Sequence, residues 1–268
     1  MTMSNEAFLK TKSFVFKYGA FYAIGLLIAF GLKYYYSGAS SEDLDWILAP
    51  TAYWVQALSG IPFEKEQQIG FVSHFYQFII APSCAGINFM IIAFSTLLFS
   101  FIHRLKSVKG RFLWIASSFL LVYLFTILVN SLRIILSIFL LRLDIYGGWI
   151  TPERVHTIEG TIVYFVSLLI LYVIAGELIK YFALNAGKNK VSAKAQIHLL
   201  HKWFPPVFFY FAITLGVPVL NGAYVNDSKK FLDHAVLITA VCLTVLLLLS
   251  LLFILKKHLR EKSVPKTK

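Results

Sequence analysis

Charge is what this sequence has least of. Only 14% of its 268 residues are Asp, Glu, Lys or Arg, and 58% are hydrophobic. A soluble domain of this length carries about 25% charged residues. The shortage excludes a water-soluble globular domain and points to a chain that lives in lipid. Cysteine is almost as scarce. Two thiols, Cys84 and Cys242, build no disulfide framework. Neither a CxxC nor an HExxH spacing occurs, which speaks against a paired-thiol redox relay and against a zinc site. No metal and no cofactor is expected. There is no internal repeat, no low-complexity tract and no Gly-x-Ser-Gly start of the kind a membrane serine protease uses.

Long apolar runs fill the space that charge leaves. Six of them reach or approach the ~20 residues that cross a bilayer as helix: about 14–36, 86–103, 112–141, 157–179, 204–220 and 234–255. The first is too long for a removed leader and lacks a small-residue cleavage site. Between the first two runs, "LDWILAPTAYWVQALSG" carries Trp46, Tyr53 and Trp54, residues suited to the headgroup level. The expected fold is therefore all-α: a polytopic transmembrane helix bundle of about six spans, with residues 44–59 as a further, interfacial helix. "IGFVSHFYQFIIA" has the β-branched and aromatic content of a short extended segment. The chain divides into a core over 1–180 and a C-terminal extension over 181–268 that adds two spans.

Placing the six spans alternately sorts the charge. One side receives 18 of the 25 Lys and Arg but only three of the 13 acids, Glu6, Glu177 and Glu261. By the positive-inside rule that side, with both termini, is cytoplasmic. The net charge of +12 is then a topology signal whose partner is anionic lipid, and nucleic acid is not called for.

With this topology three breaks in hydropathy, far apart in sequence, fall at one depth on the outer side. Cys84, in "IIAPSCAGINFMII", stands at the start of the second span, with Gly86 beside it to leave backbone room. A thiol at a helix start is commonly inert, yet the positive end of the helix dipole favours its thiolate. Arg133, in "LVNSLRIILSIFLL", shares a helical face with Asn130 and Ser137. A charge there costs several kcal/mol unless it is paired or hydrated; it either snorkels to the interface or faces a wet cavity. His156 opens the fourth span in "TPERVHTIEG", and Glu159, one turn on, either orients its ring or favours the helix start. His74 and His234 have no comparable polar neighbourhood, and Cys242 lies inside an apolar run as a small hydrophobe would. Cys, His and Arg together suit acyl transfer, with a thiolate nucleophile, a proton-exchanging imidazole and a guanidinium that holds developing negative charge.

"PSCAGINF", "NSLRI" and "RVHTIEG", each at the outer end of successive spans, resemble the exosortase/archaeosortase family of membrane cysteine transpeptidase-proteases. The resemblance covers about 75–180 and implies a catalytic set of Cys84, Arg133 and His156, with Asn130, Asn88 and Glu159 binding or positioning the substrate. It implies a cysteine peptidase in the bacterial inner membrane, multi-pass, with its active site facing the periplasm. Its substrates would be secreted proteins ending in a short motif, a spanning helix and a basic tail, cleaved through a thioacyl intermediate. Ala85 stands where many members carry Ser, and no subfamily is assigned. Two rivals remain open on the residues alone. One is a non-catalytic transport or assembly subunit that binds an anionic ligand through Arg133 and Asn130; the other is a membrane acyltransferase.

Overall fold

A computed structural model describes residues 2–105, 107–143, 146–185 and 199–263. The apolar runs fold as helices because lipid offers backbone amides no partner outside their own segment. Six helical stretches are long and apolar enough to span a membrane: 14–38, 82–104, 108–140, 152–180, 203–220 and 228–256. They belong to α1 (Thr2–Gly38), α3 (Ile87–Phe101), α4 (Val108–Leu140), α5 (Pro152–Asn185), α6 (Leu199–Phe211) with its continuation, and α9 (Ser228–Ser263). The all-α polytopic bundle expected from composition is the fold observed.

At the centre stands α3. The apolar window of its span is 89% buried, whereas the windows of the other five are 11% to 39% buried. It packs against α1, α4, α5 and α6, and Phe89, Phe94, Leu97 and Phe101 are wholly enclosed. Neighbouring helices run in alternating directions. Lys33 near the end of α1 meets Asn88 near the start of α3, while Arg111 near the start of α4 meets the Lys17 carbonyl in α1. One end of the bundle therefore gathers the ends of α1 and α4 with the starts of α3 and α5, and Lys17, Arg104 and Arg111 lie towards the other.

The further helix expected over 44–59 forms as α2 (Asp45–Ser59) and stops at Gly60, a left-handed cap whose N–H bonds the Gln56 carbonyl. Ile47, Leu48, Thr51, Ala52 and Val55 are buried, and α2 packs against α4. Tyr123 donates to the Trp46 carbonyl (2.8 Å) and Ser131 to the Thr51 carbonyl (3.3 Å). The helix thus runs beside the C-terminal half of α4, leaving Trp46, Tyr53 and Trp54 exposed. The extended segment is an antiparallel sheet, β1 (Glu64–Glu66), β2 (Gly70–Ser73) and β3 (Phe78–Ile80), in which Phe71 faces Ile80. One residue after β3, Pro82 opens the 3₁₀ turn Pro82–Cys84.

The C-terminal helices are less regular. Pro205 and Pro206 lie inside α6, and a π-helical segment, Ala212–Gly216, precedes α7 (Val217–Leu220) and its Pro218. Proline lacks the N–H that an α-helical ladder needs, and a widened turn is one way round it. The short α8 (Ala223–Asn226) leads into α9, which packs along α5.

Candidate functional site

Cys84 ends the 3₁₀ turn, partly buried. Two residues on, Gly86 takes φ +72°, a left-handed conformation in which a side chain is strained. The glycine also lets α4 come close. A Cβ there would stand 3.1 Å from the Asn130 Cγ and 3.2 Å from the Thr126 Cγ2. The approach brings the Asn130 amide to the Cys84 carbonyl, which accepts its Nδ2–H at 2.5 Å. Asn130 itself is fully buried.

One turn along the same face of α4, the Arg133 guanidinium has only 10% of its side chain exposed. It passes beside Gly160 of α5, where a Cβ would lie 3.0 Å from the Arg133 Nε. Its Nη2 stands 2.5 Å from the His156 Nε2 and its Nη1 is 3.4 Å from the Tyr164 hydroxyl. A guanidinium only donates. The His156 Nε2 facing it therefore presents a lone pair, and the ring proton is on Nδ1. That nitrogen lies 2.9 Å from the Ser137 Oγ, and Ser137 in turn donates to the Glu159 Oε2 at 3.1 Å. The result is one directed chain, Arg133 to His156 to Ser137 to Glu159. Glu159 is itself buried, with 5% of its side chain exposed, and its Oε2 stays 4.0 Å from the Arg133 Nε and 3.9 Å from the His156 Nδ1. The serine hydroxyl thus bridges a carboxylate and an imidazole that do not bond directly.

The structure gathers Asn130, Arg133, His156 and Glu159 into one network and joins Cys84 to it through the backbone. The thiol stands apart: its Sγ is 4.0 Å from the Ser83 Oγ and 4.0 Å from the Ile79 carbonyl. Among the described residues no hydrogen bond links it to His156 or Arg133. Asn88 lies outside the network. It is exposed on the first turn of α3 and accepts from the Lys33 Nζ at 2.8 Å. His74, in the turn after β2, pairs with Glu66 of β1 at 3.0 Å, and Cys242 is fully buried in α9.

Two participants, Gly160 and Tyr164, escaped the sequence reading, as did Lys33, which bonds Asn88 outside the network. Lys33, a lone cation near the end of the first span, left a hydropathy break that was available. Gly160 stood in the quoted "RVHTIEG" without a reason to be singled out. Tyr164 gave no signal at all, being one aromatic residue in an apolar run. A cavity of about 780 Å³ opens beside the first turns of α5, lined by Glu153, Arg154 and Thr157 together with residues of the C-terminal helices. Cys84, Arg133 and His156 do not line it.

A family model described as transmembrane exosortase matches residues 11–173, more than half of the chain. The chain belongs to the exosortase family. The match takes in the cysteine turn and the whole hydrogen-bonded network, all of which precede residue 174. No curated protein and no solved structure matches the chain. The exosortase region ends within α5, and α6 to α9 lie beyond it.

Proposed function

We propose that this exosortase-family protein is a membrane cysteine transpeptidase or protease that cleaves the C-terminal sorting signals of secreted proteins. The observation that carries the proposal is the convergence of three successive spans. The cysteine turn, Arg133 and His156 come from segments far apart in sequence, and Asn130 bonds the cysteine's own carbonyl. The substrates would end in a motif, a spanning helix and a basic tail. Cleavage would occur at the periplasmic face of the inner membrane, both termini of the enzyme being cytoplasmic.

The chemistry runs as acyl transfer. The substrate carbonyl oxygen, as it takes on negative charge, draws the Arg133 donors towards itself. That releases the His156 Nε2, which accepts the Cys84 proton while the sulfur bonds the carbonyl carbon. The C–N bond then breaks, the imidazolium returns its proton to the departing amine, and a thioester remains on Cys84. Water or an amine resolves it. Ser137 and Glu159 hold the Nδ1 proton and steady the charge on the ring meanwhile. In this scheme the resting thiol has no base beside it, and the freed imidazole closes on the sulfur only once the substrate is bound.

The rival reading, an anion-binding transport or assembly subunit, finds less support. It gives no role to the cysteine turn that Asn130 bonds, whereas the exosortase match takes in that turn together with Arg133 and His156. A direct test uses a reporter protein fused to the tail of a secreted protein encoded beside the enzyme, comprising motif, apolar span and basic end. Cys84→Ala should insert normally and leave the reporter uncleaved, and a thioester-linked species should be trapped by hydroxylamine only with Cys84 present. Normal cleavage by Cys84→Ala would overturn the proposal.

A further inference from the structure

Tyr164 is a neighbour of Arg133 to which the proposed chemistry gives no task. It lies on α5, two turns beyond His156, yet it reaches both other helices of the site. Its ring stacks on Phe89 of α3, centroids 4.8 Å apart and planes within 12°. The Arg133 Cζ stands 5.3 Å from the same ring. Its hydroxyl lies 2.7 Å from the Asn130 Oδ1 and 3.4 Å from the Arg133 Nη1.

The directions of these bonds follow from what each group can do. Arg133 has no acceptor, so the tyrosine oxygen accepts from it. The single phenolic proton then has one destination, the Asn130 Oδ1. With that oxygen occupied, the amide orientation of Asn130 is determined, and its NH₂ points the other way, at the Cys84 carbonyl. A flipped amide would set oxygen against oxygen at that carbonyl and two donors against the phenolic proton. The cation of α4 thus dictates, through a side chain of α5, which face Asn130 shows to the cysteine turn between β3 and α3.

We infer that Tyr164 is a positioning residue for the nucleophile: it locks the Asn130 amide so that the turn carrying Cys84 is held against α4. The inference rests on the reading of Cys84 as nucleophile. Tyr164 touches neither thiol nor substrate in this role. It acts on kcat through Asn130, because a displacement of the order of 1 Å at a reacting group costs roughly 100-fold.

Tyr164→Phe keeps the ring and its stack on Phe89 and removes only the hydroxyl. With the tailed reporter as substrate, it should lower kcat roughly 10- to 100-fold and change KM by less than about threefold. A residue that merely supports the bundle would show instead in detergent melting and in yield, with kcat per folded molecule intact. Asn130→Ala should cost a similar factor, and the Tyr164→Phe/Asn130→Ala pair should cost no more than the worse single change, because both break one relay. Should Tyr164→Phe fail to insert, Asn130→Asp carries the test. It keeps an acceptor for Tyr164 but presents no proton to the Cys84 carbonyl, and kcat must fall. Wild-type kcat in Tyr164→Phe or in Asn130→Asp, or losses that multiply in the double variant, would overturn the inference. Cys84→Ala separates the two levels. If it cleaves the reporter, the nucleophile assignment fails; if it is inactive while Tyr164→Phe is unimpaired, the positioning role alone fails.

Discussion

Gly160→Ala exchanges one hydrogen on α5 for a methyl group that has nowhere comfortable to sit. The new carbon would lie 3.0 Å from the Arg133 Nε and 3.6 Å from its Cζ and Nη2, so the guanidinium must give by a few tenths of an ångström. A long side chain ordinarily yields at little cost. This one is held by His156 at 2.5 Å and Tyr164 at 3.4 Å, so moving it means loosening the network. Against this stands intrinsic propensity: alanine is favoured over glycine inside a helix by about 0.8–1.0 kcal/mol. The two effects oppose each other in stability, and only the clash bears on activity. The detergent-solubilised variant should therefore melt within about 4 °C of wild type while cleaving the tailed reporter at least roughly 10-fold more slowly. Gly160→Val, whose branches extend further towards Arg133, should be worse on both counts. Parallel measurement of melting and of reporter cleavage decides it. A Gly160→Ala enzyme that cleaves at the wild-type rate would refute the claim that the α4–α5 approach sets the geometry of Arg133.

Arg133→Lys keeps the charge but offers one ammonium where two acceptors, the His156 Nε2 and the Tyr164 hydroxyl, face separate ends of a fork. Reporter cleavage should fall by roughly 100-fold or more, and retention of more than a tenth of the wild-type rate would count against a shape-dependent role. Ser137→Ala removes the hydroxyl that donates to the buried Glu159 Oε2, whose companion Oε1 has no hydrogen bond. Leaving the carboxylate unsatisfied should cost about 1–3 kcal/mol in chemical unfolding, with Ser137→Thr closer to wild type; equal stability of all three would deny the bridge. Outside the spans, the Glu42 carboxyl sits below the usual carboxylate range because it accepts the Gln68 backbone N–H and the Ser41 hydroxyl. A depressed value means that this grip is complete above the ordinary carboxylate range and is lost as pH falls through the folded one. Hydrogen exchange of the Gln68 amide, corrected for intrinsic rate, should be flat with pH down to that range and accelerate below it. Glu42→Gln should abolish the dependence, and a step nearer neutrality would assign the turn to another group.

The spans were legible because hydropathy reports the apolar middle of a helix directly. Its ends were not, since polar residues continue the backbone without continuing the signal. Thus α4 begins at Val108 and not near Phe112, and α5 begins at Pro152 and not at Thr157. The second difference matters for the site. It puts His156 and Glu159 on consecutive turns of one helix, where Ser137 bridges them. On α4 the polar stripe of Asn130, Arg133 and Ser137 could be read because helical spacing alone places them on one face. The strands were too short for periodicity to mark, and "EKE" of β1 resembles no strand in composition. Tyr164 was invisible for a different reason. Its role depends on which helix lies beside which, and among apolar spans no single sequence encodes that pairing.

Arg133 also explains why so many polar groups are tolerated in this position. An isolated charge in a spanning helix is costly by several kcal/mol, and a buried carboxylate carries its own penalty. Here the guanidinium and Glu159 offset each other at 4.0 Å, and each also bonds a neutral intermediary, although the Arg133 Nε and the Glu159 Oε1 make no hydrogen bond. Because the cation only donates, every group touching it turns an acceptor inward and sends its proton outward. One arm passes that direction through His156 and Ser137 to the carboxylate. The other passes it through Tyr164 and Asn130 to the carbonyl of Cys84. A neutral residue at position 133 would remove more than a positive charge: the tautomer of His156 and the amide orientation of Asn130 would both lose the constraint that selects them.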